Sequence, residues 1–192
     1  TLVYILKYDN EKLFLCYCYE TWARSYSTIN EYGYYQSGGS NGASNHTTED
    51  GLIDKDGKWQ PIVSIESEMD INQLASLDDL RQIPQVAETK EISGTIELDT
   101  IYFNKTGDNE RLYTFYVYDD KGEPLDDANL YTNSIYKEIF NEASVQFVTP
   151  AEVSDMILEK EEKVGATAEI KNGKVITWET LGGNTFSDYV KS

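Results

Sequence analysis

The 192-residue chain is expected to fold as an α+β protein: a mainly antiparallel sheet built from hairpins, with two or three helices packed on it. Three observations carry this expectation. Short turn signals recur between apolar alternations, a long alternating run returns on itself after a polar turn, and one segment has complete helix start and stop signals. The length suits one domain able to bury a sizeable core without disulfides. A change of composition at QIPQVAETKE, residues 82–91, marks a possible division into lobes 1–84 and 91–192 joined near 85–90.

The first turn signal, YDNEKL at 8–13, joins two apolar runs into a hairpin. Its second run, LFLCYCYE, alternates Leu13, Leu15, Tyr17 and Tyr19 with Phe14, Cys16 and Cys18. Both sets are apolar, which predicts a central strand with two reduced, buried thiols. Residues two apart on a strand lie about 6.6 Å from each other along the backbone, so a bridge between Cys16 and Cys18 would be strained. Two cysteines and one histidine are also too few for a zinc site.

Next comes YYQSGGSNGASNHTTEDG, which holds the sole histidine, His46. From Ser37 to Asp50 no apolar side chain exceeds Ala43, so little burial offsets the ordering of glycine. A mobile, exposed connection is expected there. The segment lacks both the Gly-Lys-Ser/Thr ending of a phosphate loop and the dinucleotide fingerprint. DKDGKW at 54–59 resembles a calcium loop, but aligning Gly57 would make Leu52 and Val63 ligands, so Asp54 and Asp56 read as turn residues.

SLDDLRQIP reads as a short helix capped by Ser76 and stopped by Pro84. EISGTIELDTIYF puts Ile92, Ile96, Leu98 and Tyr102 on one face, and RLYTFYVY returns with Tyr113, Phe115 and Val117. This predicts a hairpin of 92–103 with 111–118, one face wet and one packed. YDDKGEP at 118–124 is another hairpin turn. DDANLYTNSIYKEIFNEA predicts a helix begun by Asp126 or Asp127 that buries Tyr131, Ile135 and Ile139. TPAEVSDMILEKEEKVG predicts a helix with a Thr149–Glu152 capping box, Pro150 at its first position and Gly165 at its end. Val153, Met156, Ile157, Lys160 and Val164 share its inner face, while Glu152, Asp155, Glu159 and Glu162 face water. IKNGKV at 170–175 predicts a last hairpin of 166–171 with 174–179, turning at Asn172-Gly173.

Function is bounded more by exclusion than by motif. The formal charge of −18, with only Arg24, Arg81 and Arg111 as guanidinium donors, makes direct nucleic-acid binding unfavourable. No apolar run reaches the length of a membrane span, so no membrane insertion is expected. The chain begins at Thr1 and not Met, which leaves room for a leader or anchor upstream. Asn45-His46-Thr47 and Asn104-Lys105-Thr106 match the glycosylation acceptor pattern, which matters only in a eukaryotic secretory host.

Fifteen tyrosines against six phenylalanines leave many hydroxyls on aromatic surface. Tyr with Ser, Gly and Asn is the vocabulary of adaptable binding loops. The leading expectation is a non-enzymatic binding domain of a bacterial secreted or surface protein, recognising a protein or glycan through Tyr32, Tyr34, Tyr35, Asn41, Asn45 and His46. It needs no catalytic residue, metal or cofactor. One alternative is an intracellular acidic inhibitor that imitates nucleic acid. Another is a hydrolase using His46 and nearby carboxylates. Localisation leans toward the outside of the cytoplasm.

Overall fold

The computed structural model describes residues 1–69, 95–103, 111–119, 121–125, 128–132, 134, 137 and 147–177. Two antiparallel sheets account for most of it. β1 (Leu2–Asp9) and β2 (Lys12–Glu20) form a two-stranded hairpin. β3 (Ser25–Ile29), β4 (Tyr34–Ser40), β5 (Asn45–Ile53), β6 (Trp59–Met69), β7 (Thr95–Tyr102) and β8 (Leu112–Tyr118) form a six-stranded meander in chain order. The helices are α1 (Asn129–Thr132), α2 (Pro150–Val164) and α3 (Ala168–Lys171). The α+β class and its hairpin construction are as the turn signals predict. The expected helix at 76–84, the joint near 85–90, Ile92, Ile135 and Ile139 lie outside the described residues.

The first hairpin turns through Asn10 and Glu11, whose φ angles of 49° and 61° suit a two-residue connection. Its second strand is not central. The register shifts between Ile5 and Leu6, leaving Cys16 as the extra residue of a bulge. The bulge reverses the alternation of β2. Leu13 and Leu15 turn outward, at 49% and 59% exposure, while Tyr17 and Tyr19 turn inward. Both cysteines are free, but Cys16 is only half-buried and Cys18 is exposed. Two-sided apolar character here reflects a change of phase along a peripheral strand, not burial on both faces.

On the six-stranded sheet, consecutive Tyr34 and Tyr35 point to opposite faces and both are buried. Tyr34 joins Leu52, Val63, Ile101 and Leu112 under α2, where Val153 and Val148 complete the core. On the opposite face Tyr35 is covered by Tyr17 and Tyr19 of β2, with ring centroids 5.3 and 5.1 Å away. Farther along, Phe115 is covered by Tyr131 and Phe147 at 5.0 and 5.3 Å. That is the face expected to be packed, and the expected wet face of β7 and β8 is packed as well: Asp99, Ile101, Leu112 and Thr114 are at most 7% exposed.

α2 has the predicted ends. Thr149 Oγ1 accepts from Glu152 N at 3.2 Å, Glu152 Oε2 accepts from Thr149 N at 2.7 Å, and Gly165 closes the helix at φ 80°. Glu161 is buried beside the sheet and accepts from Lys171 Nζ at 2.5 Å. The hairpin expected at 170–175 is not formed. Thr167 caps α3 by accepting from Ile170 N, and Ile170 packs against the α2 core, so 168–171 is helical. Among the described residues Val175 makes an extended contact, bridging to Asn30 beside β3, while residues 178–179 of the expected second strand lie outside them. The 118–124 turn does form, held by Asp119 accepting from Lys121 N and Glu123 N, with an isolated Tyr118–Pro124 bridge in place of a longer ladder.

Candidate binding cleft

The glycine-rich segment is mostly strand. β4 runs to Ser40 and β5 begins at Asn45, which reduces the expected mobile connection of 37–50 to a turn at 41–44. The missing side chains explain this. A Cβ on Gly39 would lie 2.5 Å from the Trp22 ring, and one on Gly38 would lie 2.7 Å from Tyr26. Each glycine is a seat for an aromatic ring, whose packing against the strand backbone supplies contact the local sequence lacks. Trp22 Nε1 also donates to Ser40 O at 3.2 Å. Gly51 works in the same way, since a Cβ there would lie 2.0 Å from Trp59.

Where the β1–β2 hairpin meets the sheet, a cleft of about 310 Å³ opens. Tyr17, Tyr19, Trp22 and Tyr35 give it aromatic character, and Ser37, Ser64, Thr47, Glu49 and Asn41 bring polar groups. Its geometry is held by a ring assembly. Tyr17 stacks on Trp59 at 4.0 Å and 15°, and Tyr35 meets Trp59 edge-on at 5.6 Å. Tyr17 donates to Glu49 Oε2 at 2.8 Å, and Ser27 donates to Tyr19 Oη at 2.7 Å. These two bonds tie the hairpin to β5 and β3.

Burial, then the Glu49 carboxylate, pushes the Tyr17 phenol far above its ordinary range. It stays protonated and keeps Glu49 supplied with a donor. Burial also pushes Tyr35 up to about 12, while the nearby hydroxyls of Ser37 and Ser27 pull the other way. Tyr35 Oη is buried with no partner at hydrogen-bond geometry.

Of the six residues singled out from sequence, Tyr35 and Asn41 line this cleft. Asn45 stands next to it in a polar chain, accepting from Asn41 Nδ2 at 3.4 Å and donating to Glu68 Oε1 at 3.2 Å. Tyr34 is inside the α2 core, where its hydroxyl donates to Asp50 Oδ2 at 3.1 Å. Tyr32 is 46% exposed and borders a different opening with Ile29, Gly33 and Ile170. His46 is exposed between Ser40 and Ser67, on the sheet face opposite that of Thr47. Sequence reasoning missed Tyr17, Tyr19, Trp22 and Glu49 as cleft residues. The signal for Trp22 was present, since a Gly-Gly pair inside a strand marks a close approach.

Among the described residues no group of three or more His, Cys, Asp or Glu side chains is placed to hold a metal ion. Nor is any described helix long and apolar enough to cross a membrane. Compared with family models, curated proteins and solved structures, the chain matches none of them.

Proposed function

We propose that the chain is a non-enzymatic binding domain and that the cleft between the hairpin and the sheet takes a glycan. One observation carries this reading: a concave site combines the aromatic side chains of Tyr19, Trp22 and Tyr26 with the polar groups of Asn41, Ser37, Thr47 and Glu49. A sugar ring presents the matching chemistry, an apolar C–H face with hydroxyls around its rim. Rings supply contact area at low entropic cost and fixed polar groups supply orientation. A neutral or cationic sugar is favoured over an acidic one, because Glu49 lines the cleft and the chain carries −18. The compositional lean toward a bacterial secreted or surface protein suits such a ligand.

The test is a glycan array, followed by calorimetry with the sugars that bind. Neutral glycans are expected to bind, and Asn41→Ala and Trp22→Ala to weaken them about tenfold or more, as the loss of roughly 1.4 kcal/mol implies. Binding unaffected by either substitution would overturn the assignment of the cleft.

A second reading rests on α2, whose outward residues Glu152, Asp155, Glu159 and Glu162 are all exposed. A surface of this kind suits a cationic protein and supports the nucleic-acid-imitating inhibitor. Retention on a basic nucleic-acid-binding protein, lost as salt rises, would favour it over the glycan cleft.

A further inference from the structure

The outward face of the β1–β2 hairpin plays no part in the cleft. Leu2, Tyr4, Leu6, Tyr8, Leu13 and Leu15 lie on it at 45–59% exposure. Seven of the fourteen exposed large apolar residues among the described ones fall within the first fifteen positions. Cross-strand pairing brings Leu6 beside Leu15 and Tyr8 beside Leu13, so the apolar side chains are contiguous. Contiguous apolar surface of this kind on a soluble domain marks an interaction site.

We propose that this face packs against the same face of a second copy, making the protein a two-fold symmetric dimer. The charge distribution selects that occupant. The chain carries −18, yet residues 1–20 hold two lysines against three acids, and Glu20 is the one charged residue in register with the outward row. Two copies approaching by acidic surfaces such as the outward face of α2 bring like charges together, whereas hairpin against hairpin places surfaces of low charge in contact. An anionic membrane surface would be repelled by the rest of the molecule.

The area also suffices. Six side chains about half exposed, each offering roughly 150–250 Å² when fully bared, present on the order of 600 Å² per copy. A symmetric pair then buries about 1,200 Å², at the lower edge of specific interfaces. Self-complementarity is natural here, because a two-fold axis sets one apolar patch against its own copy. The outer edges of β1 and β2 pair with no other strand among the described residues.

Sedimentation of the full chain across micromolar concentrations, at physiological salt, tests the proposal. Twice the monomer mass is expected, with dimer increasing as salt screens the repulsion between copies. Leu6→Lys combined with Leu15→Lys should sediment as monomer while keeping the near-ultraviolet dichroism of the Tyr17–Trp59 stack. That double variant lowers the net negative charge, so added repulsion between whole molecules would not explain its dissociation. A wild-type monomer throughout the range, a double variant that stays dimeric, or a wild-type monomer that co-sediments with phosphatidylcholine vesicles would each overturn the dimer.

Discussion

At the residue scale, Asp99 departs furthest from ordinary carboxylate behaviour. It is 7% exposed, one of its oxygens has no partner, and its cross-strand neighbour Thr114 is fully buried. Burial pushes its pKa up to about 6, opposed by a hydrogen bond from Ser67 and reinforced by Glu97. The folded value lies above the unfolded one, so the cost of ionising Asp99 in the fold is present above pH 6. That cost falls as pH drops through 6 toward the ordinary aspartate value of 3.8. Asp99→Asn should therefore stabilise the protein at pH 7 by on the order of 2 kcal/mol and leave it little changed near pH 4. Denaturant unfolding at both pH values measures the difference, and an equal effect at both would assign it to packing. Thr149 makes a simpler case: Thr149→Ala removes the acceptor for Glu152 N and should cost about 0.5–2 kcal/mol in the same assay.

At the scale of elements, the glycine segment changes the expected outcome of a deletion. Replacing residues 38–47 by a two-glycine link would spare a mobile loop, but here it removes the ends of β4 and β5 and the seats of Trp22 and Tyr26. Loss of the cooperative thermal transition is expected, and an unshifted midpoint would mean that these strand ends carry no packing. Gly51→Ala should likewise destabilise by about 1–3 kcal/mol, since its Cβ would overlap the Trp59 ring. Local chemistry made some elements readable. The capping box of α2 and the turn at Asn10-Glu11 need only their own residues. The β7–β8 pairing was readable from alternation, though burial of its second face was not, because Val148 and the α2 residues that cover Ile101 and Leu112 come from elsewhere in the chain.

Other features were not legible for identifiable reasons. The Cys16 bulge inverts the phase of β2, and a two-residue period carries no mark of an inserted residue. Asn172-Gly173 has the chemistry of a tight hairpin, yet the Thr167 cap and the burial of Ile170 outweigh it. The cleft was half visible. Tyr35 and Asn41 belong to the one glycine-rich segment, whereas Tyr17 and Glu49 meet across a separation of 32 positions that no local pattern encodes.

At the scale of the whole molecule, two layers cover the six-stranded sheet: α2 with its neighbours on one face, and the aromatic hairpin with Tyr131 and Phe147 on the other. The hairpin's inward rings join it to the sheet and shape the cleft, while its outward side chains remain exposed. The central claim is that this cleft is where a glycan binds. Trp22 reports on it most directly, because its indole N–H donates to Ser40 O at the cleft, while Trp59 stacks behind on Tyr17. The measurement is a titration of ¹⁵N-indole resonances with a glycan found to bind, the Trp22 signal being assigned from Trp22→Phe. The Trp22 resonance should move saturably with the affinity found by calorimetry, and the Trp59 resonance should move less. Saturable binding that leaves Trp22 in place would contradict the claim.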